Sequence, residues 1–542
     1  MRRVGAEEWR WAVGAALIVV GIAAVPYLVA WLISPPGQEF TGLLVNPLDG
    51  HSYLAKMRQG AGGQWLFELP FTPEPQEGAF IFAYYLFLGH LASWLGLPLI
   101  WMYHAARSAA GIAVLLVGYR FVAEFLEDVP SRRTTFVILA LSSGLGWLLA
   151  GWGIVSPDLW IPESNTFFSV FVNPHFPLAQ ALMLLLFMWL GGPPAMRKSP
   201  VDGPSPPLTS RRLLPACGVS LALALVLPFG TVIVYLTLGL YLLVGRLRGG
   251  QGNGPTPWGT LVTGIVAAPL LVYYALVPSL NPAFAAWSAQ NQTPSPPLEL
   301  VVSGYGLLMP LAIAGIVWCV RRRCGLLLVV WLVLGLALLC FPYALQRRFL
   351  TGLHIPIAVL AAIGLVRVVW PKIGSERRFL VASLVTVLVL PSTMFILIVS
   401  SLGAATAGWP LYMTEDERQA FAWLRTSTEP ADVVLASPQT GLWIPAWAGN
   451  RVVYGHPFET IDAVEREALV RDFFAGGRYD LLPTLEEYGA RYVFVGPRER
   501  ALGQFEPQAA PSGVRFDEVF ANDDVKIYRI VGSGVARLTT GG

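Results

Sequence analysis

Apolar residues in this chain gather into long runs, where a soluble protein would show short stripes. The runs lie near 11–33, 99–126, 134–154, 175–191, 213–227, 230–246, 258–277, 301–320, 325–342, 349–370 and 379–402. Each reaches or approaches the roughly 20 residues that carry a helix across a bilayer, so the pattern predicts a polytopic α-helical membrane protein of about 11 spans. A further stretch, 79–96, is short, carries Tyr84, Tyr85, His90 and Trp94, and follows the polar segment 70–78. It predicts a helix lying at the interface, where amphipathic rings settle. Pro228-Phe229-Gly230 divides one apolar run into two. Beyond Trp409 the period changes. There 415–426 predicts an amphipathic helix, 433–436 a strand, 451–454 a second strand, and 461–474 and 481–488 two more helices. A strand over 492–495 and a hairpin over 516–530, turning at Asn522-Asp523-Asp524, close the series. The expected organisation is a membrane domain over 1–408 and a small α/β domain over 409–542.

Composition supports that division. Hydrophobic residues make up 55% and charged residues 13%, against about 25% charged in soluble domains. Soluble and disordered classes are excluded, because no globule of this size could bury so much apolar surface. Residues 1–408 hold 24 Lys and Arg against 15 Asp and Glu, net +9. Residues 409–542 hold 13 against 19, net −6. The tail is thus acidic, and no basic patch suits nucleic acid. Cys217, Cys319, Cys324 and Cys340 sit in or beside apolar runs and spell neither a disulfide framework nor a zinc motif.

Lys and Arg orient the spans. The first run follows Met-Arg-Arg and is too long for a signal-peptide core, which predicts an uncleaved span with the N-terminus inside. Basic clusters at 132–133, 197–212, 246–248, 321–323 and 372–378 all face the cytoplasm if 79–96 does not cross. The expected protein is multi-pass in the plasma (inner) membrane, its N-terminus cytoplasmic and its C-terminal domain extracytoplasmic. The Pro/Gly/Ser-rich segment 192–210 becomes a cytoplasmic linker. Loops 34–98 and 155–174 fall outside, with a third near 278–300, and all six histidines lie on or near that face.

The chemistry-bearing residues sit in those outer segments. Asp49 stands in Asn46-Pro47-Leu48-Asp49-Gly50-His51, just after the first span, with Lys56 and Arg58 following. It could cap the helix beginning near His51, or act as a general base taking a proton from an acceptor hydroxyl. The second loop offers Glu163 as a second carboxylate and His175 as a phosphate-binding imidazole. Gln346-Arg347-Arg348 breaks the charge rule by placing two arginines outside, where guanidinium could hold a phosphate bidentately or anchor to lipid headgroups. His354 lies near the same surface. Asp49, His51, Glu163 and His175 also have the chemistry to hold a divalent metal, although no HExxH, DxD or CxxC motif occurs.

Taken together, these features resemble the GT-C superfamily of membrane glycosyltransferases. The style is that of the bacterial polyprenyl-phosphate-sugar transferases, similar to protein O-mannosyltransferases and the aminoarabinose transferase of lipid A. The resemblance covers almost the whole chain: one span, a large outer loop with Asp49 near its start and a helix at 79–96, a second acidic loop with Glu163 and His175, the Gln346-Arg347-Arg348-Phe349 turn, and an outer α/β tail. Many members show an adjacent acidic pair where this chain has the single Asp49. The resemblance implies transfer of a sugar from a polyprenyl-phosphate donor to a glycan, lipid or protein acceptor at the outer face, inverting the anomeric centre. Asp49 would be the base, with Glu163 the other catalytic candidate. His51, Lys56, Arg58, His175, Gln346, Arg347, Arg348 and His354 would bind substrate. A lipid-linked oligosaccharide transporter and a non-catalytic envelope assembly protein are the alternatives.

Overall fold

A computed structural model of the chain describes residues 4–191, 210–248, 257–406, 408–509 and 513–532. Most of the expected 192–210 linker and of the 197–212 basic cluster lies outside these residues. Among the described residues, six helical stretches are long and apolar enough to cross a membrane: Ala6–Leu32, Leu99–Phe125, Val129–Trp152, Pro228–Leu247, Pro257–Leu280 and Gln346–Lys372. The pair Glu376–Val389 and Pro391–Ala405, bent by 41°, makes a seventh if it is one span. His175–Leu190, Leu213–Val226 and Leu326–Leu338 are apolar but shorter. The run at 301–320 is broken into Leu298–Ser303 and Leu308–Arg322. The protein is a multi-pass membrane protein.

The chain forms two compact units, neither contiguous in sequence. The first comprises Met1–Pro26, His104–Tyr273 and Thr293–Ser400. Its core is built where helices meet backbone to backbone. A Cβ at Gly315 would strike the Leu360 carbonyl, and one at Gly364 the Leu311 carbonyl, so only glycine permits Leu308–Arg322 and His354–Gly364 to pack this closely. The break after Ser303 has a similar cause: Gly306, at φ +49°, lies against the backbone of Gly144. At the end of this unit near the N-terminus, Arg132 donates to Glu8 Oε1 at 2.9 Å and Tyr119 donates to the same oxygen at 2.7 Å. The first helix therefore begins beside Arg132.

The second unit comprises Tyr27–Tyr103, Tyr274–Gln292 and Ser401–Gly542. The tail expected to stand as a domain of its own shares this unit with the first loop. Strand β1 (Gln38–Phe40) pairs antiparallel with β2 (Tyr412–Thr414), Gln38 opposite Thr414. In the loop, Pro47–Ala61 crosses Ala83–Leu95 at Gly60 and Gly89, where a Cβ on either would collide with the other helix's backbone. Ala83–Leu95 has 13 residues, a length of about 20 Å at 1.5 Å per residue, too short to span a bilayer. The helix after β2, Glu415–Ser427, opens with a capping box: Glu417 N donates to Thr414 Oγ1 at 3.2 Å and Thr414 N to Glu417 Oε2 at 2.8 Å. Strands β3 (Val433–Leu435), β4 (Arg451–Val452), β5 (Ala490–Val495), β6 (Val514–Ala521) and β7 (Lys526–Gly532) form a sheet of order β4-β3-β5-β7-β6. Its β3–β4 and β3–β5 pairs are parallel, and β5–β7 and β6–β7 antiparallel. Loop and tail are joined by polar contacts: Val452 N donates to Pro70 O at 3.2 Å, Arg451 pairs with Glu68 at 2.5 Å, and Arg466 pairs with Glu74.

Candidate functional site

The sequence candidates divide between the units. Asp49, His51, Lys56 and Arg58 share the Pro47–Ala61 helix in the second unit. Glu163, His175, Gln346, Arg347, Arg348 and His354 lie in the first.

The Pro47–Ala61 helix starts two residues before Asp49, with Asn46 at its N-cap position in the left-handed region (φ 48°) and no side-chain cap. Asp49 therefore sits inside the first turn, where a carboxylate suits the helix dipole, and is not the cap. It is partly exposed and, among the described residues, has neither a hydrogen-bond nor an ion-pair partner. One turn on, the residues are buried. The His51 ring donates through Nδ1 to Pro47 O at 2.7 Å, which leaves Nε2 of the neutral ring an acceptor. Burial pushes its pKa down to about 4, opposed by the Pro47 carbonyl and helped by nearby His456.

Lys56 is 1% exposed, a position Lys occupies only when paired. Its Nζ donates to Glu459 Oε1 at 2.8 Å and to Ser52, and Ser52 donates to the same carboxylate. Phe82, Phe67 and Tyr53 surround the ammonium with ring centroids at 4.5, 5.1 and 5.7 Å, a cation–π cage in apolar surroundings. Burial pushes the Glu459 carboxyl up, but Lys56, His456 and Ser52 outweigh it and hold the group below the usual carboxylate range. His456 Nδ1 accepts from Phe458 N at 3.1 Å and Glu459 N at 3.2 Å. Burial lowers its pKa, with Glu459 and Asp49 pulling the other way. Lys56 and Ser52 thus tie the Pro47–Ala61 helix to Glu459 of the tail, with two neutral histidines buried beside the pair.

In the first unit Glu163 is 1% exposed on the Pro162–Ser164 turn. Arg348 donates to its Oε1 at 3.1 Å, and Arg347 Nε approaches the same oxygen at 3.8 Å. The Arg347 guanidinium lies 5.1 Å from the Trp160 ring centre and that of Arg348 5.9 Å from the Phe176 ring. His175 packs on Phe176, ring centroids 4.0 Å apart. The two arginines share one carboxylate that local sequence did not supply.

Two expected substrate contacts have structural surroundings instead. His354 is 1% exposed, with Ser142 Oγ 3.1 Å from Nε2 and Thr166 Oγ1 3.0 Å from Nδ1. Both nitrogens are taken by the core, where a histidine near the outer surface was expected. Gln346 accepts from Ser295 N at 3.1 Å and donates to Phe341 O at 2.6 Å, holding its own turn. Asp158 is also structural: Gly144 N and Gly146 N donate to it at 3.0 and 3.2 Å, and burial raises its pKa. Among the described residues no three His, Cys, Asp or Glu side chains form a group able to hold a metal ion, so Asp49, His51, Glu163 and His175 do not fit that role. Sequence reasoning missed Glu459, which meets Lys56 across 403 residues with no local signal.

No family model and no curated protein sequence matches this chain. Solved structures do. Arabinofuranosyltransferase AftD from Mycobacteria is similar with a TM-score of 0.51 and 17% identity, over 95% of this chain and 40% of that one. ArnT from Cupriavidus metallidurans in the apo state is similar with a TM-score of 0.50 and 14% identity, over 95% of this chain and 98% of that one. The fold is that of the GT-C glycosyltransferases. The Archaeoglobus fulgidus oligosaccharyltransferase, solved with Zn and sulfate, is also similar (TM-score 0.48, 16% identity, 88% of this chain and 68% of that one). Within this GT-C fold the chain spans 40% of the length of AftD and 98% of that of ArnT. Its two carboxylate candidates differ in state: Glu163 is engaged by two arginines, whereas Asp49 has no partner among the described residues.

Proposed function

We propose that this GT-C-fold protein transfers a sugar from a polyprenyl-phosphate donor to a hydroxyl of a glycan, lipid or protein acceptor, with Asp49 as general base. The fold is shared with AftD, a transferase by name, and with ArnT. The observation that carries the assignment is the partnerless, partly exposed Asp49 carboxylate, on a helix locked in place by the Lys56–Glu459 pair. In the proposed step Asp49 takes the proton of the attacking hydroxyl. A bond forms between that oxygen and the anomeric carbon, and the bond from that carbon to the phosphate oxygen breaks. The electron pair leaves with the phosphate, and the anomeric centre inverts. Phosphate is a good leaving group, so what it needs is positive charge rather than a strong acid; Arg347 and Arg348 are assigned to it. The reaction is placed at the outer face of the plasma (inner) membrane, with the N-terminus cytoplasmic and the α/β tail from 409 onwards extracytoplasmic.

Asp49→Asn keeps shape and helix preference but accepts no proton. General-base assistance is worth about 10²–10⁴-fold, so turnover of donor by the purified full chain should fall by that order while the variant folds. Wild-type turnover in Asp49→Asn together with its loss in Glu163→Gln would move the base to Glu163.

A further inference from the structure

The second unit holds a cleft of about 520 Å³ lined from four stretches of chain. Strand β1 contributes Glu39, the Pro47–Ala61 helix Arg58, the turn before the Leu99–Phe125 span Leu97 and its first turn Ile100, and the tail Arg418, Arg425 and Trp447. Three guanidiniums therefore face one small volume. Arg418 is accounted for by Glu415 at 2.5 Å and Glu39 at 3.5 Å. Arg58 donates through Nε to Ala446 O at 3.2 Å, and its methylene stem lies against Gly449, whose φ of +103° and missing Cβ leave room for it. Neither Arg58 nor Arg425 has an acidic partner among the described residues. Burial, with the Arg425 charge beside it, draws the Arg58 pKa down to about 10. Two like charges thus lie side by side with no ion-pair partner of their own among the described residues, while Glu39, the carboxylate that also lines the cleft, pairs with Arg418.

The setting narrows what would sit there. Leu99 is the first residue of a helix long and apolar enough to cross a membrane, so the cleft lies at the end of that helix. Trp94, Leu95 and Trp101, next in sequence to the lining residues Ser93, Gly96 and Ile100, are 71%, 59% and 62% exposed, as expected of an interfacial aromatic belt. A free anion would use the arginines and leave the apolar rim idle. A neutral lipid would do the reverse.

We propose that this cleft binds the phosphate of a membrane lipid, with Arg58 and Arg425 gripping the phosphate oxygens and the Trp94–Trp101 rim meeting the acyl chains. Guanidinium suits the role because its planar fork matches phosphate geometry. The site does not depend on the transferase reading, and it is tested with no sugar donor present.

The full chain in detergent is titrated with dioctanoyl phosphatidic acid, dioctanoylglycerol and inorganic phosphate, and binding is followed by tryptophan fluorescence. The phosphatidic acid should bind at least about tenfold tighter than either of the others, and its affinity should fall as salt rises. Arg425→Gln, at an exposed position, should keep the wild-type unfolding temperature and weaken phosphatidic acid about tenfold, as loss of a charge-assisted hydrogen bond does. Arg58→Gln should act similarly; if it fails to fold, Arg425→Gln decides alone. Unchanged affinity in Arg425→Gln overturns the proposal. So does dioctanoylglycerol binding as tightly as phosphatidic acid, or inorganic phosphate doing so, which would make this a site for a free anion.

Discussion

Arg347 and Arg348 are adjacent in sequence but differ in how they meet Glu163. Arg348 makes a hydrogen bond at 3.1 Å, whereas Arg347 approaches only to 3.8 Å and lies over Trp160. Removing one member of a buried pair strands the other charge, at about 3–5 kcal/mol when burial is complete. The arginine side chains are 20% and 25% exposed, so the cost here should be smaller. Arg348→Ala is therefore expected to lower the unfolding temperature measurably. Arg347→Ala is expected to leave it nearly unchanged while weakening polyprenyl-phosphate-sugar binding about tenfold or more. Equal donor affinity in both variants and wild type would make the two arginines headgroup anchors. The sequence alone exposed this pair through its violation of the charge rule, but not its partner. Glu163 lies 185 residues away from Arg348, and only the fold brings them together.

At the scale of the element, the Pro47–Ala61 helix is held by groups whose charge depends on pH. His51 and His456 are both kept neutral, His51 at about 4 against an ordinary value near 6.5. Between those values the unfolded chain binds more protons than the folded one, so stability rises with pH through the window and is lost as pH falls from about 6.5 towards 4. At about 1.4 kcal/mol per pKa unit, His51 alone accounts for about 3 kcal/mol. Glu459, also depressed, adds a loss in the same direction at lower pH. Thermal unfolding of the full chain should be flat near neutrality and fall steeply below pH 6, and His51→Asn should remove part of that slope. A profile identical in wild type and variant would mean that His51 does not carry it. Little of this element was legible in advance. Asp49, His51, Lys56 and Arg58 could be picked out because four polar side chains stand within one short stretch, but Lys56 and His51 prove to be buried. The helix Pro438–Trp447 was missed too. It has Pro at its start and Pro445 inside, which mask the helical period, although Ser437 caps it by accepting from Thr440 N at 3.3 Å.

For the whole molecule, hydropathy was the most legible signal, because backbone polar groups in a bilayer must be satisfied within their own helix. The apolar runs are mainly helical, and most of the expected alternation of helices and strands in the tail is present. Less legible was the chain's division into units. Residues 27–103 and 274–292 cluster with the tail through β1–β2 pairing and ion pairs such as Arg451–Glu68, contacts that no local period encodes. Reporter fusions at Gly542 and within 192–210 should report opposite sides of the membrane, the tail outside; a cytoplasmic tail would contradict the proposed orientation. Sugar transfer from a lipid phosphate can be read as a mass balance. The purified full chain in vesicles is given a labelled polyprenyl-phosphate sugar and extracts of envelope glycans, lipids and proteins, and every labelled species is counted. One free polyprenyl phosphate should appear for each sugar gained by an acceptor. Donor recovered intact, whether left in place or moved to the other leaflet, would contradict it.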